Sequence, residues 1–412
     1  MSTQARRRFS PWMALFLIAI AEILTLSVWF SASVVSTPLQ HLWHLNSLEV
    51  ALLTASVQLG FVLGALISSI TGTADRFNAR WIFFLSAVGG ALVNALFIFS
   101  NSWEMGVILR MLTGIAMVGV YPVAVKLVTE WSPARRGTAV GILVGALTLG
   151  SALPHLILFV GVSAPWQVIL LASSGLALLG AGIIAFLLPN PPRETHSIPP
   201  KMSLVSLHAV FANKAAMLAD YGYFGHMWEL YAMWTWFPAF VYASFVASGD
   251  RSGVVASATM IGFLVIGIAG AIGSVAGGLL ADRVGRTMVT SVAMAMSGLC
   301  ALIIGLAYGG PPWVVIGIGM LWGITVVADS AQFSAAVTEL TTPQYIGTAL
   351  TLQTAIGFFI TIISINLIAV AKNAIGWQWA FALLSVGPFL GVYAMLRLRA
   401  RASSLMMANG RR

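Results

Sequence analysis

Charged side chains and cysteine are scarce in this chain. Only 8% of its 412 residues are Asp, Glu, Lys or Arg, whereas soluble domains carry about a quarter. The single cysteine, Cys300, excludes a disulfide framework and a cysteine metal site, and no Gly-Lys-Ser/Thr phosphate loop occurs. The sequence also shows no cluster of nucleophile, base or metal ligands. We therefore expect no enzyme, no metal and no cofactor.

Apolar residues make up 59% of the chain and occur in blocks of roughly 20. A helix of that length rises about 30 Å, which is the thickness of the hydrocarbon core of a bilayer. The blocks do not alternate between apolar and polar residues, as the strands of an outer-membrane barrel would. We predict an all-α membrane protein with twelve transmembrane helices, at about 11–35, 49–71, 81–100, 105–128, 138–160, 166–188, 215–245, 254–280, 288–308, 313–336, 347–371 and 377–396.

The formal net charge of +9 is distributed unevenly along the chain. Basic residues concentrate in alternate loops and at both ends, while the loops between them hold only Arg251 and Lys372. This positive-inside pattern predicts a multi-pass protein of the inner (cytoplasmic) membrane with both termini in the cytoplasm. The lipid bilayer is thus its expected partner, and the pattern argues against nucleic acid. The basic residues concerned are Arg6 to Arg8, Arg76, Arg80, Arg135, Arg136, Arg193, Lys201, Lys214, Arg283, Arg286 and those from Arg397 to Arg412.

Similar residues recur on either side of a Pro-rich polar segment. Four correspondences occur in order, and internal similarity of this kind indicates a duplicated unit. We predict two pseudo-symmetric six-helix halves, 1–188 and 215–412, joined by a cytoplasmic linker at 189–214, with a substrate site near the membrane midplane. The matches are Glu22, Trp29 and Phe30 with Glu229, Trp236 and Phe237; Ala74 to Arg76 with Ala281 to Arg283; Thr129 and Glu130 with Thr338 and Glu339; and Trp166 and Gln167 with Trp377 and Gln378.

The loop between the second and third helices of the second half carries a sharp motif, Gly278-Leu-Leu-Ala-Asp282-Arg283-Val-Gly285-Arg286. It matches the loop signature of the major facilitator superfamily, which the chain resembles over essentially its whole length. The first-half copy is degenerate and keeps Asp75, Arg76 and Arg80. The resemblance implies that both loops lock one conformer at the cytoplasmic face. The alternative is that these charges only end helices and set the topology.

Ionisable residues inside apolar helices are candidates for function because a charge at the bilayer centre costs at least about 2.5 kcal/mol. Glu22 and Glu229 occupy equivalent repeat positions, on the helices that line the central cavity in the superfamily. A pair of cavity carboxylates is suited to taking up and releasing protons, and His226, one turn before Glu229, could share its proton. A purely structural role for both carboxylates is the alternative.

Three further ionisable residues lie in predicted spans. Arg110 begins Arg110-Met-Leu-Thr-Gly114, which resembles a superfamily motif associated with proton-coupled members. We expect Arg110 to pair with Glu22 or with an anionic substrate group. Lys126 serves either the substrate or the cytoplasmic interface. Asp329 either relays protons or pairs with a neighbour.

Aromatic residues mark the same helices. Trp29 in the first span, and Tyr223, Tyr231 and Trp236 in the seventh, are expected to line the cavity. Their rings could stack on an unsaturated solute or hold a cation. The alternative is that half of these rings face lipid or other helices.

The resemblance implies a monomeric secondary transporter, driven by the proton gradient, that moves a small organic solute by alternating access of the two halves. Two directions stay open. Proton-coupled uptake of a small organic anion, as a symporter, is favoured by Arg110 and Lys126. Proton-driven efflux of amphipathic or cationic compounds, as a drug antiporter, is favoured by Glu22, Glu229 and the aromatic seventh helix. A channel or receptor is disfavoured by the two-half repeat.

Overall fold

The computed structural model describes residues 9–71, 73–131, 136–191, 204–249 and 253–412, and every regular element in these ranges is helical. The side chains of residues 74, 75, 136–138, 204–206 and 409 also lie outside the description. The all-α prediction is confirmed. The twelve long helices are α1 Pro11–Leu26, α2 Ser47–Thr71, α3 Ala79–Phe99, α4 Trp103–Trp131, α5 Arg136–Val160, α6 Trp166–Leu187, α7 Lys214–Ala247, α8 Val254–Val284, α9 Arg286–Ala307, α10 Pro312–Leu340, α11 Pro343–Ala374 and α12 Trp377–Arg399.

Within the described ranges, eleven of these helices are long and apolar enough to cross a membrane. The exception is α1, whose 16 residues span about 24 Å. The predicted span 11–35 is interrupted by a turn at 27–30, after which two short helices, Ser31–Val34 and Ser36–Trp43, continue the chain. Two other helices are also interrupted: α4 by a turn at 118–120, and α10 at Asp329.

Polar residues begin several helices where the apolar blocks start. The Ser10 hydroxyl accepts a hydrogen bond from the Trp12 amide, with Pro11 in the first turn. Asn213 likewise caps α7 by accepting from two backbone N–H groups of its first turn. These caps satisfy donors that a helix leaves unpaired at its start. In the linker at 189–214, a helix at Leu204–Ala212 precedes α7, and residues 192–203 lie outside the description.

The two halves repeat the same close packing between their second and fourth helices. A Cβ atom on Gly114 of α4 would overlap the Val57 carbonyl of α2. In the second half, a Cβ atom on Gly277 of α8 would overlap the Ala328 carbonyl of α10. Small residues allow helix backbones to approach in this way. Gly114 of the Arg-x-x-x-Gly motif is therefore a packing residue.

Two pairs of helices join the halves: α2 with α11, and α5 with α8. Ser274 of α8 donates a hydrogen bond to the Gly141 carbonyl of α5 over 3.1 Å. At one end of the other pair, Asn373 of α11 bonds to Ser47 of α2 over 3.0 Å. The space enclosed by these contacts contains the candidate site.

Candidate functional site

A cavity of about 290 Å³ lies between the two halves. This volume is at the lower end of the range of about 300–1,000 Å³ typical of small-ligand pockets. Of the described residues that line it, His226 and three tyrosines are the ionisable ones, and none is Lys, Arg, Asp or Glu. The wall consists of Leu26, Trp29, Phe61, Tyr121, Pro122, Val125, Val140, Val144, Leu147 and Ser151 from the first half, and Tyr223, His226, Met227, Leu230, Tyr231, Trp234, Val327, Ser330, Ser334, Leu350, Thr354 and Phe358 from the second.

Aromatic rings from both halves meet at one part of this wall. Trp29 packs 5.7 Å from Phe358 and 6.1 Å from Tyr231 between ring centroids, and Phe61 packs 4.5 Å from Phe358. Tyr231 in turn lies 5.3 Å from Trp234. This aromatic cluster joins the turn after α1 and helix α2 to α7 and α11. It offers a flat solute faces to stack on and holds the halves together.

His226 forms the polar part of the cavity. Its Nδ1 atom lies 2.9 Å from Oδ1 of Asp329, and its Nε2 atom lies 2.9 Å from the Ser330 hydroxyl. Both partners stand where α10 is interrupted, which turns the two adjacent side chains toward α7. Each of the two ring nitrogens of His226 therefore faces a polar group of α10. The structure thus pairs His226 with Asp329 and not with Glu229.

Asp220 is a buried carboxylate on α7 that the sequence reasoning missed. It accepts a hydrogen bond of 2.8 Å from the Gln353 side chain of α11, whose oxygen accepts one of 3.1 Å from Ser334 of α10. Ser334 lines the cavity, one helical turn from Ser330. The cost of a carboxylate within an apolar helix was the signal that could have identified Asp220.

Neither Glu22 nor Glu229 lines the cavity, in contrast to the expectation from the repeat. Glu229 accepts hydrogen bonds of 2.8 Å from Ser297 of α9 and from the Trp322 indole of α10. Glu22 is fully buried, and neither of its carboxylate oxygens has a hydrogen-bond partner among the described residues. The equivalent positions of Glu22 and Glu229 therefore lie inside the helix bundle of each half. Side chains there are shielded from lipid, as side chains in the cavity are.

Substitution by glutamine should change the stability of the protein differently at these two positions. Glu22→Gln is expected to leave the stability unchanged or to raise it, because it removes a carboxylate that is buried without partners. Glu229→Gln is expected to lower it by roughly 1 kcal/mol, because an amide NH2 group would face one of the two donors. Thermal unfolding of the purified variants measures both effects. A larger loss for Glu22→Gln than for Glu229→Gln would contradict the assignment.

Arg110 is fully buried and makes no contact with a carboxylate among the described residues. Its guanidinium donates to the Val28 carbonyl over 3.0 Å, to the Trp29 carbonyl, and to the Asn94 side chain over 3.1 Å. These two carbonyls belong to the turn at 27–30 that follows α1. The expected pairing of Arg110 with Glu22 is therefore wrong for this conformation, and Arg110 instead stabilises the broken first helix.

Matches to family models cover both halves of the chain. Residues 15–266 match the model of the Major Facilitator Superfamily, and residues 205–406 match that of the family "Sugar (and other) transporter". The chain belongs to the major facilitator superfamily. It is accordingly a multi-pass membrane transporter of a small organic solute and not an enzyme.

Known members of the superfamily resemble the chain in sequence and fold. The gallate transporter of Pseudomonas putida is 24% identical over 410 residues, which cover 87% of this chain and 86% of that protein. The 3-(3-hydroxy-phenyl)propionate transporter of Escherichia coli is 25% identical over 231 residues, 54% of each chain. The nucleoside transporter NupG is 14% identical, with a TM-score of 0.70 over 94% of this chain and 99% of that one, and it shows a shared fold.

The second superfamily loop signature ties two helices of one half together. Arg286 donates two hydrogen bonds of 2.7 and 2.8 Å to the Glu339 carboxylate of α10, and one of 2.7 Å to Gln332. Asp282 and Arg283 are exposed, and Gly285 has a φ of 98°, a left-handed conformation that favours glycine. No residue of the other half is among these partners, so a locking role for the signature stays a prediction. Gly278, also part of the signature, has open space where a Cβ atom would be.

The first loop signature is described only in part, because the side chain of Asp75 lies outside the description. Arg76 is exposed. Arg80 donates to the Ile184 and Ala185 carbonyls at the end of α6 and to Asn190. Arg80 therefore anchors the start of α3 to the end of α6 within the first half.

The remaining predicted residues divide between cavity and bundle. Trp29, Tyr223 and Tyr231 line the cavity, as expected. Trp236 does not: its indole donates to the Ile365 carbonyl, and its ring contacts Lys372 at 5.0 Å. Lys126 is half-buried on α4 and is also not part of the wall, although its neighbour Val125 is.

The members of the aromatic cluster come from both halves, so we expect the cluster to stabilise the present conformer. Phe358→Ala removes the ring that contacts Trp29, Phe61 and Tyr231. We expect about a two- to tenfold shift away from the present conformer, since aromatic pairs contribute about 0.5–1.5 kcal/mol beyond burial. The rate at which a thiol reagent labels a cysteine at Thr354, in a Cys300→Ser background, measures the shift.

The matched control for this prediction is Phe359→Ala. Phe359 is the next residue on α11 and is 53% exposed, so its removal leaves the aromatic cluster intact. Labelling at Thr354 should match the parent protein in this variant. Equal labelling in both variants would mean that the cluster does not hold the present conformer.

Proposed function

We propose that this transporter takes up a small organic acid together with a proton, and that His226 and Asp329 form the proton-binding pair. The contact between His226 and the Ser330 hydroxyl in the cavity wall carries the proposal. Histidine is the side chain that ordinarily changes charge between about pH 5 and 8. A protonated imidazole can donate one N–H to Asp329 and the other to a solute carboxylate.

Charge balance links the proton to the solute in this site. The described cavity wall contains no Lys or Arg, so an anion entering it meets positive charge only when His226 is protonated. Proton binding would therefore raise the affinity for the anion, and by reciprocity the anion would raise the affinity for the proton. Such mutual dependence is what a symporter requires.

Two relatives support an organic acid as solute. Their names assign them gallate and 3-(3-hydroxy-phenyl)propionate, which both join a carboxylate to a hydroxylated aromatic ring. The aromatic cluster of Trp29, Phe61, Tyr231 and Phe358 provides faces on which such a ring can stack.

We propose that the cavity opens to the cytoplasm in the present conformer. Most wall residues of α4, α5, α10 and α11 lie in the helix halves next to the α4–α5 and α10–α11 loops. The first of these loops carries Arg135, and the positive-inside rule assigns it to the cytoplasm. We accordingly propose that the protein lies in the inner membrane as a monomer, with both termini in the cytoplasm. The two signature loops would then lock one conformer at the cytoplasmic face.

Proton-driven efflux is the second candidate. The buried carboxylates of Asp220 and Asp329 close to the cavity, and its aromatic wall, would also suit an amphipathic cation. The direction of proton movement separates the two functions.

Uptake by proteoliposomes tests the proposal. Purified protein is reconstituted, a pH gradient with the acid side outside is imposed, and accumulation of radiolabelled 4-hydroxybenzoate and 3-(3-hydroxyphenyl)propionate is followed against protein-free liposomes. A symporter should concentrate at least one acid until a protonophore is added. Accumulation of a lipophilic cation under the opposite gradient, with no transport of either acid, would support efflux and refute acid uptake.

A further inference from the structure

The fourth helices of the two halves are interrupted at equivalent points. After its interruption, α4 resumes as the segment Tyr121–Trp131 and α10 as the segment Ser330–Leu340, and each segment has 11 residues. The same number of positions separates Tyr121 from Ser330 as separates the repeated Thr-Glu pairs near the ends of these two segments. Tyr121 is therefore the first-half counterpart of Ser330.

Tyr121 and Ser330 line the cavity from opposite halves. Parallel repeats of this kind are related by an axis along the membrane normal, so equivalent residues lie at the same depth in the membrane. The Ser330 hydroxyl lies 2.9 Å from Nε2 of His226, the nitrogen that the proposed function assigns to the solute carboxylate. Tyr121 thus stands at the depth of that carboxylate, on the first-half side of the cavity.

The Tyr121 hydroxyl is available to a ligand. It has no hydrogen-bond partner among the described residues, and it is not one of the enclosed polar atoms that lack a partner, so the oxygen is accessible. The side chain is only half-buried. Among the described first-half residues of the wall, Ser151 alone also carries a hydroxyl group, and it lies on α5, more than one helical turn further from the α4–α5 loop.

A hydrogen bond to an ionised acceptor is about twice as strong as one between neutral groups. Building on the proposed function, we infer that Tyr121 is the substrate-binding residue of the first half and donates a hydrogen bond to the solute carboxylate, opposite His226. The two carboxylate oxygens are then shared between the halves. The charged end of the solute joins the first half to the second, while its apolar remainder contacts the aromatic cluster.

Tyr121→Phe tests this inference, because the change removes the hydroxyl and keeps the ring. Calorimetric titration of the purified protein measures the affinity for benzoate, 4-hydroxybenzoate, 3-phenylpropionate and 3-(3-hydroxyphenyl)propionate. The affinity should fall about 10- to 100-fold for every acid that the parent binds, since all four share the carboxylate. It should still rise as the pH falls, because the variant keeps His226. The unfolding temperature should equal that of the parent, because the hydroxyl has no partner among the described residues.

Tyr221→Phe is the matched control, because Tyr221 is 53% exposed on α7 and is not part of the described cavity wall. It should bind the acids as the parent does. Parental affinities in Tyr121→Phe overturn the inference. A loss confined to the hydroxylated acids also overturns it, because Tyr121 would then contact the ring hydroxyl of the solute.

A lower unfolding temperature of Tyr121→Phe would give the hydroxyl a structural role and would overturn the inference as well. In each of these cases, acid binding by the parent still upholds the proposed function. If the parent binds none of the four acids and transports none, the proposed function fails and the inference falls with it.

Discussion

Replacing His226 by glutamine should abolish uptake driven by a pH gradient. Glutamine can still hydrogen-bond to Ser330 or Asp329, but it cannot take up a proton, so the cavity would hold no positive charge for the solute. A hydrogen bond to a charged group contributes about 1.5–3 kcal/mol, which corresponds to a loss of about 10- to 100-fold in affinity for an organic acid. Uptake of 4-hydroxybenzoate or 3-(3-hydroxyphenyl)propionate into proteoliposomes measures the loss.

The pH dependence distinguishes this role from a structural one. In the parent protein, affinity for the acid should rise as the pH falls, because the proton that His226 binds adds the positive charge that the anion needs. The affinity of His226→Gln should not show this rise.

His208→Gln provides the control, because His208 is exposed on the linker helix Leu204–Ala212 and outside the cavity. Its uptake and pH profile should equal those of the parent. Parental uptake by His226→Gln, with an unchanged pH profile, would refute proton binding at this residue.

Replacing Arg110 by alanine should destabilise the fold more than it changes the chemistry of the cavity. The change leaves the Trp29 carbonyl and part of the bonding capacity of the Val28 carbonyl and Asn94 unsatisfied within the bundle. With about 1–3 kcal/mol for each unsatisfied buried group, we expect a loss of roughly 2–5 kcal/mol in the free energy of unfolding. Thermal unfolding of the purified protein in detergent measures it.

Arg397→Ala is the matched control for this second prediction. Arg397 near the end of α12 is exposed and donates to the Tyr393 hydroxyl of the preceding turn, so its removal should change stability by less than about 1 kcal/mol. Suppose that Arg110→Ala unfolds at the parental temperature but no longer binds acids. Arg110 would then be a binding residue and not an anchor of α1.

Helix content, the number of helices and the two-half repeat could be predicted from the sequence, because each depends on features that are local or periodic. Blocks of apolar residues, polar caps and recurring motifs need no knowledge of which helices touch. The division into halves is visible even in the glycine contacts of Gly114 and Gly277, which occupy corresponding helix pairs.

The sequence was a weaker guide to which face of each helix meets the cavity. α7 is apolar or aromatic around most of its circumference, so no polar stripe shows which face meets the cavity. Trp234 and Trp236 are two residues apart and point to different surroundings, the cavity and the interior of the second half. The free-energy cost of a charge in lipid predicts that Glu22 and Glu229 face away from lipid. It does not predict a cavity position, because the interior of a helix bundle excludes lipid as effectively as a cavity does.

Pairing over long sequence distances could not be predicted either. The sequence identifies His226 and Asp329 as ionisable residues inside helices, but it carries no signal that the two side chains are in contact. Their contact depends on the packing of α7 against α10 and on the interruption of α10 at Asp329. Asp220 is the opposite case, because its position within an apolar helix is visible in the local sequence and was enough to mark it as a candidate.

The interrupted first helix sets an order for the biosynthesis of this protein. α1 is synthesised before α4, but the Trp29 carbonyl of the turn that follows α1 accepts from Arg110 of α4, 81 residues further along. The Val28 carbonyl accepts from Arg110 and also from the nearby Ser31 hydroxyl. Until α4 has been synthesised, the Trp29 carbonyl lacks its side-chain partner, a state that lipid penalises. We therefore expect the turn after α1 to reach its final structure only when α4 has been synthesised and packed against it.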